Sequence, residues 1–121
     1  MVSFKEYTAH AFVGMRMHES LQGNVLQLLT TGGLIFGTPI EPRDGEYDTS
    51  RHLLPETVSG LVKSYHREHG KGNFDSAKYQ FIELEDVTII NGSSRIRCSY
   101  LLVYVDQIVG VSLVDRDIIA P

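Results

Sequence analysis

The chain has 121 residues, 42% of them hydrophobic and 21% charged, with a formal net charge of −4. That length holds one domain, and that balance excludes disordered and fibrous classes. A mildly acidic chain does not coat nucleic acid by bulk electrostatics, because phosphate contact is made with Lys and Arg.

In chain order, Ser3 and Glu6 form a capping box, and Phe4, Tyr7, Ala11, Met15 and His18 recur at helical spacing with Phe12 beside them. The spacing predicts an amphipathic helix from Phe4 to the region of Met17, weakened at Gly14, with that apolar face laid on the mouth of a sheet or barrel. Gly23-Asn24 breaks it. Val25, Leu26, Leu28 and Leu29 make a first strand; Leu34, Ile35 and Phe36 open a second, punctuated by Gly37 and stopped by Pro39 and Pro42.

From about 42 to 76 the chain reads as an insertion. Arg43 to Arg51 is a polar, turn-rich loop. Pro55 then stands at a helix start, Val58, Leu61, Val62 and Tyr65 follow at helical spacing, and His69-Gly70 closes a second helix expected to pack through those four residues. A third strand runs from about Tyr79 to Ile90. Asn91-Gly92 signals a type I′ hairpin into a fourth strand, Arg95 to Tyr104, and a fifth runs from about Gln107 to Leu113. The last stretch carries Val103, Val105, Ile108, Val109, Val111 and Leu113 with few charges, an apolar edge that reads as an assembly surface.

Candidate chemistry is sparse. Cys98, the single cysteine, reads as a small packing residue in a strand. His52, His66, Glu68 and His69 have no diagnostic metal-ligand spacing. Asp44, Glu46 and Asp48 alternate but lack the glycine and terminal glutamate of a calcium loop. Glu83, Glu85 and Asp86 have no nucleophile or base beside them, and Gly70-Lys71-Gly72 is not a P-loop. The expectation is no enzyme, no cofactor and no metal. No membrane-spanning stretch and no basic segment followed by an apolar one are seen, which leads to a cytoplasmic expectation.

Three stretches carry a resemblance. Gly32-Gly33-Leu34-Ile35-Phe36-Gly37 looks like the first Sm motif. Phe81-Ile82-Glu83-Leu84-Glu85-Asp86-Val87 followed by Asn91-Gly92 is similar to the third strand of Sm-like proteins, and Val103-Tyr104-Val105-Asp106-Gln107-Ile108-Val109 looks like the second Sm motif. Over residues 3–41 and 79–113 the chain resembles the Sm-like (LSm) family. The resemblance implies a mainly β, strongly bent five-stranded barrel with an N-terminal helix, here a single domain over 1–121 with its helical insertion between strands two and three. It implies a homo-oligomeric ring closed by pairing the fourth strand of one copy with the fifth of the next.

It also implies single-stranded RNA as a partner. Family members hold uridine-rich RNA with an Asn at the start of strand three and an Arg-Gly in the second motif. Here Phe81 stands at the first position, Tyr104 at the arginine and Val105 at the glycine; Asp106, and Gln107 in place of Asn, keep the family's character. Phe81, Tyr104, Asp106 and Gln107 are therefore the candidate RNA-binding residues, with stacking on Tyr104 or Phe81 and weak base selectivity. The alternative is a ring-forming structural or adaptor subunit of a macromolecular or phage assembly that binds no RNA.

Overall fold

The computed structural model of the chain describes residues 3–15, 23–40, 53–69 and 80–119. The first helix, α1, spans Phe4–Met15. Ser3 caps it: Glu6 N–H donates to Ser3 Oγ at 3.1 Å, Ser3 Oγ–H donates to Glu6 Oε1 at 3.0 Å, and Tyr7 N–H donates to the Ser3 carbonyl at 2.9 Å. The serine half of the capping box forms, while the Glu6 carboxylate takes the Ser3 hydroxyl in place of the Ser3 backbone N–H.

Which face of α1 is buried differs from the expectation. Ala9 is buried and Phe12 and Val13 pack on the core, whereas Phe4 and Tyr7 are 82% and 64% exposed and Met15 is also exposed. Apolar residues occupy most of the helix circumference, so periodicity cannot choose between the two faces. The small Ala9 side chain allows the close approach that Phe4 and Tyr7 would block. His18 lies outside the described residues.

Among the described residues five antiparallel strands form one sheet: β1 Asn24–Thr30, β2 Gly33–Pro39, β3 Phe81–Asn91, β4 Ser94–Tyr104 and β5 Ile108–Asp115. Their spatial order is β4-β3-β2-β1-β5. Among the described residues β4 pairs with β3 and β5 with β1, leaving the sheet two ends. A 3-10 turn, Val105–Gln107, joins β4 to β5, and α1 packs against this turn and β5.

Two bulges interrupt the ladders. On β2, Phe36 faces Thr88 and Thr38 faces Glu85, so the single residue Gly37 stands opposite both Asp86 and Val87. Asp86 takes a φ of 53°, a left-handed conformation that Asp tolerates better than most residues. The extra residue reverses the alternation, so Leu84 and Val87 both point into the core. A Cβ on Gly37 would lie 3.0 Å from Leu84 Cβ and 3.3 Å from Val87 Cγ2, which is why glycine occupies that crossing. On β5, Val109 is the additional residue between partners of Leu29 and Thr30; it is exposed while Ile108 and Val111 face inward.

The core is built from Leu26, Leu28, Ile35, Ile82, Leu84, Val87, Val103, Val105 and Ile108, closed at one end by Ala9. The apolar residues expected to form an uncovered edge are thus mostly spent inside the chain: Val103, Val105 and Ile108 are buried, and Val109 is the exposed one. What β4 and β5 leave open is a row of backbone groups. Cys98 is half-buried against the core, as a packing residue would be.

The β3–β4 hairpin closes on Gly92 and Ser93, between the paired Asn91 and Ser94. Gly92 has a φ of 60°, and positive φ at the first central position alone is the II′ pattern rather than the expected I′. The second helix, α2, spans Leu53–His69 between β2 and β3. It does not bury the face proposed for it: Leu61 is 63% exposed and Tyr65 is exposed, with Val58 and Val62 only half-covered. Asp44, Glu46, Asp48 and His52, like the side chains of His66 and His69, lie outside the described residues. No described helix is long and apolar enough to cross a membrane, and no cluster of three metal-ligating side chains occurs among the described residues.

Candidate nucleic-acid interface

The end of β4 and the start of β3 bring two of the candidate residues side by side. Phe81 and Tyr104 are cross-strand partners, and the ladder extends one step further through Val105 N–H, which donates to the Gln80 carbonyl at 2.8 Å. Val105 is buried and pins the start of the 3-10 turn into the core. Pinned there, the turn pushes its neighbours outward: Tyr104 is 58% exposed, and Asp106 and Gln107 are exposed. Gln107 Nε2–H donates to Asp106 Oδ1 at 3.4 Å, so the two polar side chains fold over the turn together.

The N-terminal end of α1 lies across this turn. Lys5 Nζ donates to the Asp106 carbonyl at 3.5 Å, a long contact that nevertheless fixes which end of the helix is near. Ser3, Lys5, Glu6, Gln80, Tyr104, Val105 and Asp106 together line an open cavity of about 350 Å³. That size lies at the lower end of small-ligand sites. Tyr104 supplies an aromatic wall, Lys5 a cation, and Glu6 and Asp106 two carboxylates. One Glu6 oxygen is engaged by Ser3, while Oε2 is buried with no hydrogen-bond partner among the described residues.

Of the four candidate residues, Tyr104 and Asp106 line the cavity. Phe81 is half-buried beside Tyr104 and Gln107 lies outside the lining. Val105 belongs to the core and is buried. The sequence reading missed Ser3, Lys5, Glu6 and Gln80. The capping box marks where α1 starts, but nothing local brings Lys5 to a carbonyl 101 residues away.

Two residues along β3 from Phe81, Glu83 is buried and accepts a 2.5 Å hydrogen bond from the Tyr100 hydroxyl at its Oε2. Burial pushes its carboxyl above the usual value, and the Tyr100 hydrogen bond offsets part of that rise. Glu83 is therefore a structural carboxyl tying β3 to β4. Glu85 is half-buried two residues further along β3, ahead of the bulge, and the exposed Asp86 in the bulge meets Arg116 at 3.9 Å on the surface.

No family model, curated protein or solved structure matches the chain. The site must be read from its own geometry. An aromatic face, one cation and hydrogen-bonding groups around a shallow cavity suit a stacked planar group held by few polar contacts. Two carboxylates to one lysine do not suit a phosphate.

Proposed function

We propose that this protein is an Sm-like, ring-forming subunit that binds single-stranded RNA with weak base selectivity. The observation that supports this reading most is the strand order β4-β3-β2-β1-β5 behind an N-terminal helix, with bulges in β3 and β5 and, among the described residues, the backbone edges of β4 and β5 both open. In a ring, β4 of one copy continues the sheet of the next through β5, which removes both open edges. Each copy then presents its turn of Tyr104 to Gln107 at an equivalent place. A base stacks on Tyr104, with Phe81 supporting the ring from the neighbouring strand, while Asp106 and Gln107 offer hydrogen bonds.

Stacking is worth about 1–3 kcal/mol per base and does not discriminate among bases. Affinity is therefore weak and insensitive to uridine content. The test is light scattering after size exclusion, then competition between uridine-rich and adenine-rich oligomers at physiological salt. Ring-sized particles whose binding of both oligomers is lost in Tyr104→Ala are the expected outcome. Nanomolar uridine-selective binding, or a monomer with no binding, overturns it.

A second reading, a ring-forming structural or adaptor subunit without RNA, is favoured by one feature. The cavity's carboxylates outnumber its cation, and the chain's net charge of −4 opposes polyanions. Rings that ignore both oligomers select it.

A further inference from the structure

The cavity beside Tyr104 is unevenly supplied with hydrogen-bonding groups. Lys5 brings donors only, whereas Asp106 and Glu6 bring carboxylates, which only accept. Glu6 shares one oxygen with the Ser3 hydroxyl and its other oxygen is buried, so Asp106 is the lining carboxylate open to a ligand. Asp106 is exposed, and its Oδ1 takes a long, 3.4 Å hydrogen bond from Gln107 Nε2, which leaves both oxygens able to accept again. Lys5 Nζ lies 3.5 Å from the backbone carbonyl of that same residue, so cation and carboxylate share one corner of the cavity. The exposed ring of Tyr104 is the aromatic wall of the same cavity.

We propose, resting on the RNA reading, that this corner selects guanine. The base stacks on Tyr104, its N1–H and 2-amino group donate to the two oxygens of Asp106, and its O6 accepts from Lys5 Nζ. The ligand class is a guanine base, carried by a guanosine in a single strand or by the free nucleoside.

The order of groups along the base edge decides the selection. The Watson–Crick edge of guanine runs acceptor, donor, donor. No other standard base has two adjacent donors there, and a carboxylate accepts such a pair through both oxygens. Uracil has an acceptor on each side of its one N–H, so a carbonyl oxygen would meet the carboxylate. Cytosine and adenine each place an accepting ring nitrogen beside the amino group, which sets lone pair against lone pair. The second carboxylate, on Glu6, deepens the negative potential around the edge and adds to the penalty for acceptors. Lys5 answers the one acceptor that guanine presents. The preference is modest, because the cavity is open and water competes for Asp106. About fivefold over uridine is expected, the lower end of what a bidentate pair supplies.

The experiment is competition binding on the full chain. Uridine oligomers carrying a single guanosine, inosine, adenosine or cytidine are compared with the all-uridine oligomer, and free guanosine is titrated separately. The guanosine oligomer should bind about fivefold more tightly. Inosine, which lacks only the 2-amino group, should lose most of that gain, and adenosine and cytidine should give none. Asp106→Asn, checked for folding by circular dichroism, should bind all the oligomers alike and keep the affinity for the uridine one. The inosine comparison changes nothing in the protein, so it decides even where Asp106→Asn does not fold.

Oligomers that bind alike whichever base they carry overturn the guanine site and leave the RNA reading standing. A preference that survives in inosine or in Asp106→Asn, or that adenosine shares, also overturns the site, since purine stacking alone would account for it. Free guanosine that binds and is lost in Asp106→Asn, with no oligomer bound, keeps the guanine site and rejects the RNA reading. No binding of any of these ligands rejects both.

Discussion

Gly33 and Gly37 show how single positions govern the sheet. Gly33 has a φ of 132°, and a Cβ there would run into the Ile90 carbonyl, so both conformation and space demand glycine. Gly33→Ala is expected to cost about 1–3 kcal/mol from backbone strain alone. Gly37→Ala, with an unstrained φ, is expected to cost a similar amount, about 1–3 kcal/mol, by pushing on Leu84 and Val87. Urea midpoints measure both, and an unchanged midpoint for Gly37→Ala would mean that the bulge yields. Glu83 is the residue whose protonation matters. Unfolded, its carboxyl titrates near 4.5; folded, burial raises that value. Between the two, the native state holds a proton the unfolded state has lost. Stability from this group therefore falls as pH rises through that window and levels off above it. Glu83→Gln removes the charge and keeps an acceptor for Tyr100. Its stability relative to wild type should rise between pH 4 and neutrality, and a pH-independent difference would show that the buried carboxyl stays hydrated.

At the level of elements, the two helices behave differently from what their patterns suggest. Both carry apolar residues at helical spacing, yet α1 buries the face its strongest pattern did not mark and α2 leaves Leu61 and Tyr65 exposed. The consequence is measurable. Leu61→Ala is expected to change stability by no more than about 0.5 kcal/mol, in contrast to Leu84→Ala, whose side chain is wholly buried and whose loss should cost about 2–5 kcal/mol. Thermal or urea unfolding of the two variants side by side settles the contrast; equal losses would mean that α2 is covered in solution. Strands were more legible than helices. Glycine, proline and the Asn91-Gly92 pair punctuate β1 to β4 within a few residues of their ends, because those residues act on φ locally. The bulges at Asp86 and Val109 were not legible, since each answers to a partner strand and Asp86 is no stronger a bulge signal than any other surface aspartate.

For the whole molecule, the decisive quantity is what happens at the two ends of the sheet. In a lone chain roughly alternate backbone amides of β4 and β5 face water, whereas those of β1, β2 and β3 are paired on both sides. Hydrogen exchange distinguishes the cases. If copies join through these edges, amides throughout 94–104 and 108–115 are protected as strongly as those of β1. Fast exchange of every second amide on both edges would refute the ring. RNA binding has its own signature at this scale. Lys5 is the cation of the cavity and shares it with two carboxylates, so each site releases at most about one counterion and log affinity against log salt has a slope no steeper than about −0.7 per occupied site. A slope several times steeper would locate the binding surface elsewhere.

The sequence by itself determined the class of fold: a helix, two strands, a helical insertion and three more strands, in that order and close to those limits. These follow from local rules, in which caps, turns and breakers act on their own neighbours and an apolar alternation needs only a sheet. It also determined that Tyr104, Asp106 and Gln107 would sit together, because they are consecutive or nearly so. The tertiary structure alone decided that Phe81 stands beside Tyr104, that Lys5, Glu6 and Gln80 complete the cavity, and that α1 turns Phe4 and Tyr7 to water. Those outcomes depend on register and on the fit of Ala9 against the sheet end. Burial is a property of surfaces meeting across long sequence distances, and a helix with two apolar faces carries no local record of which one its partner will choose.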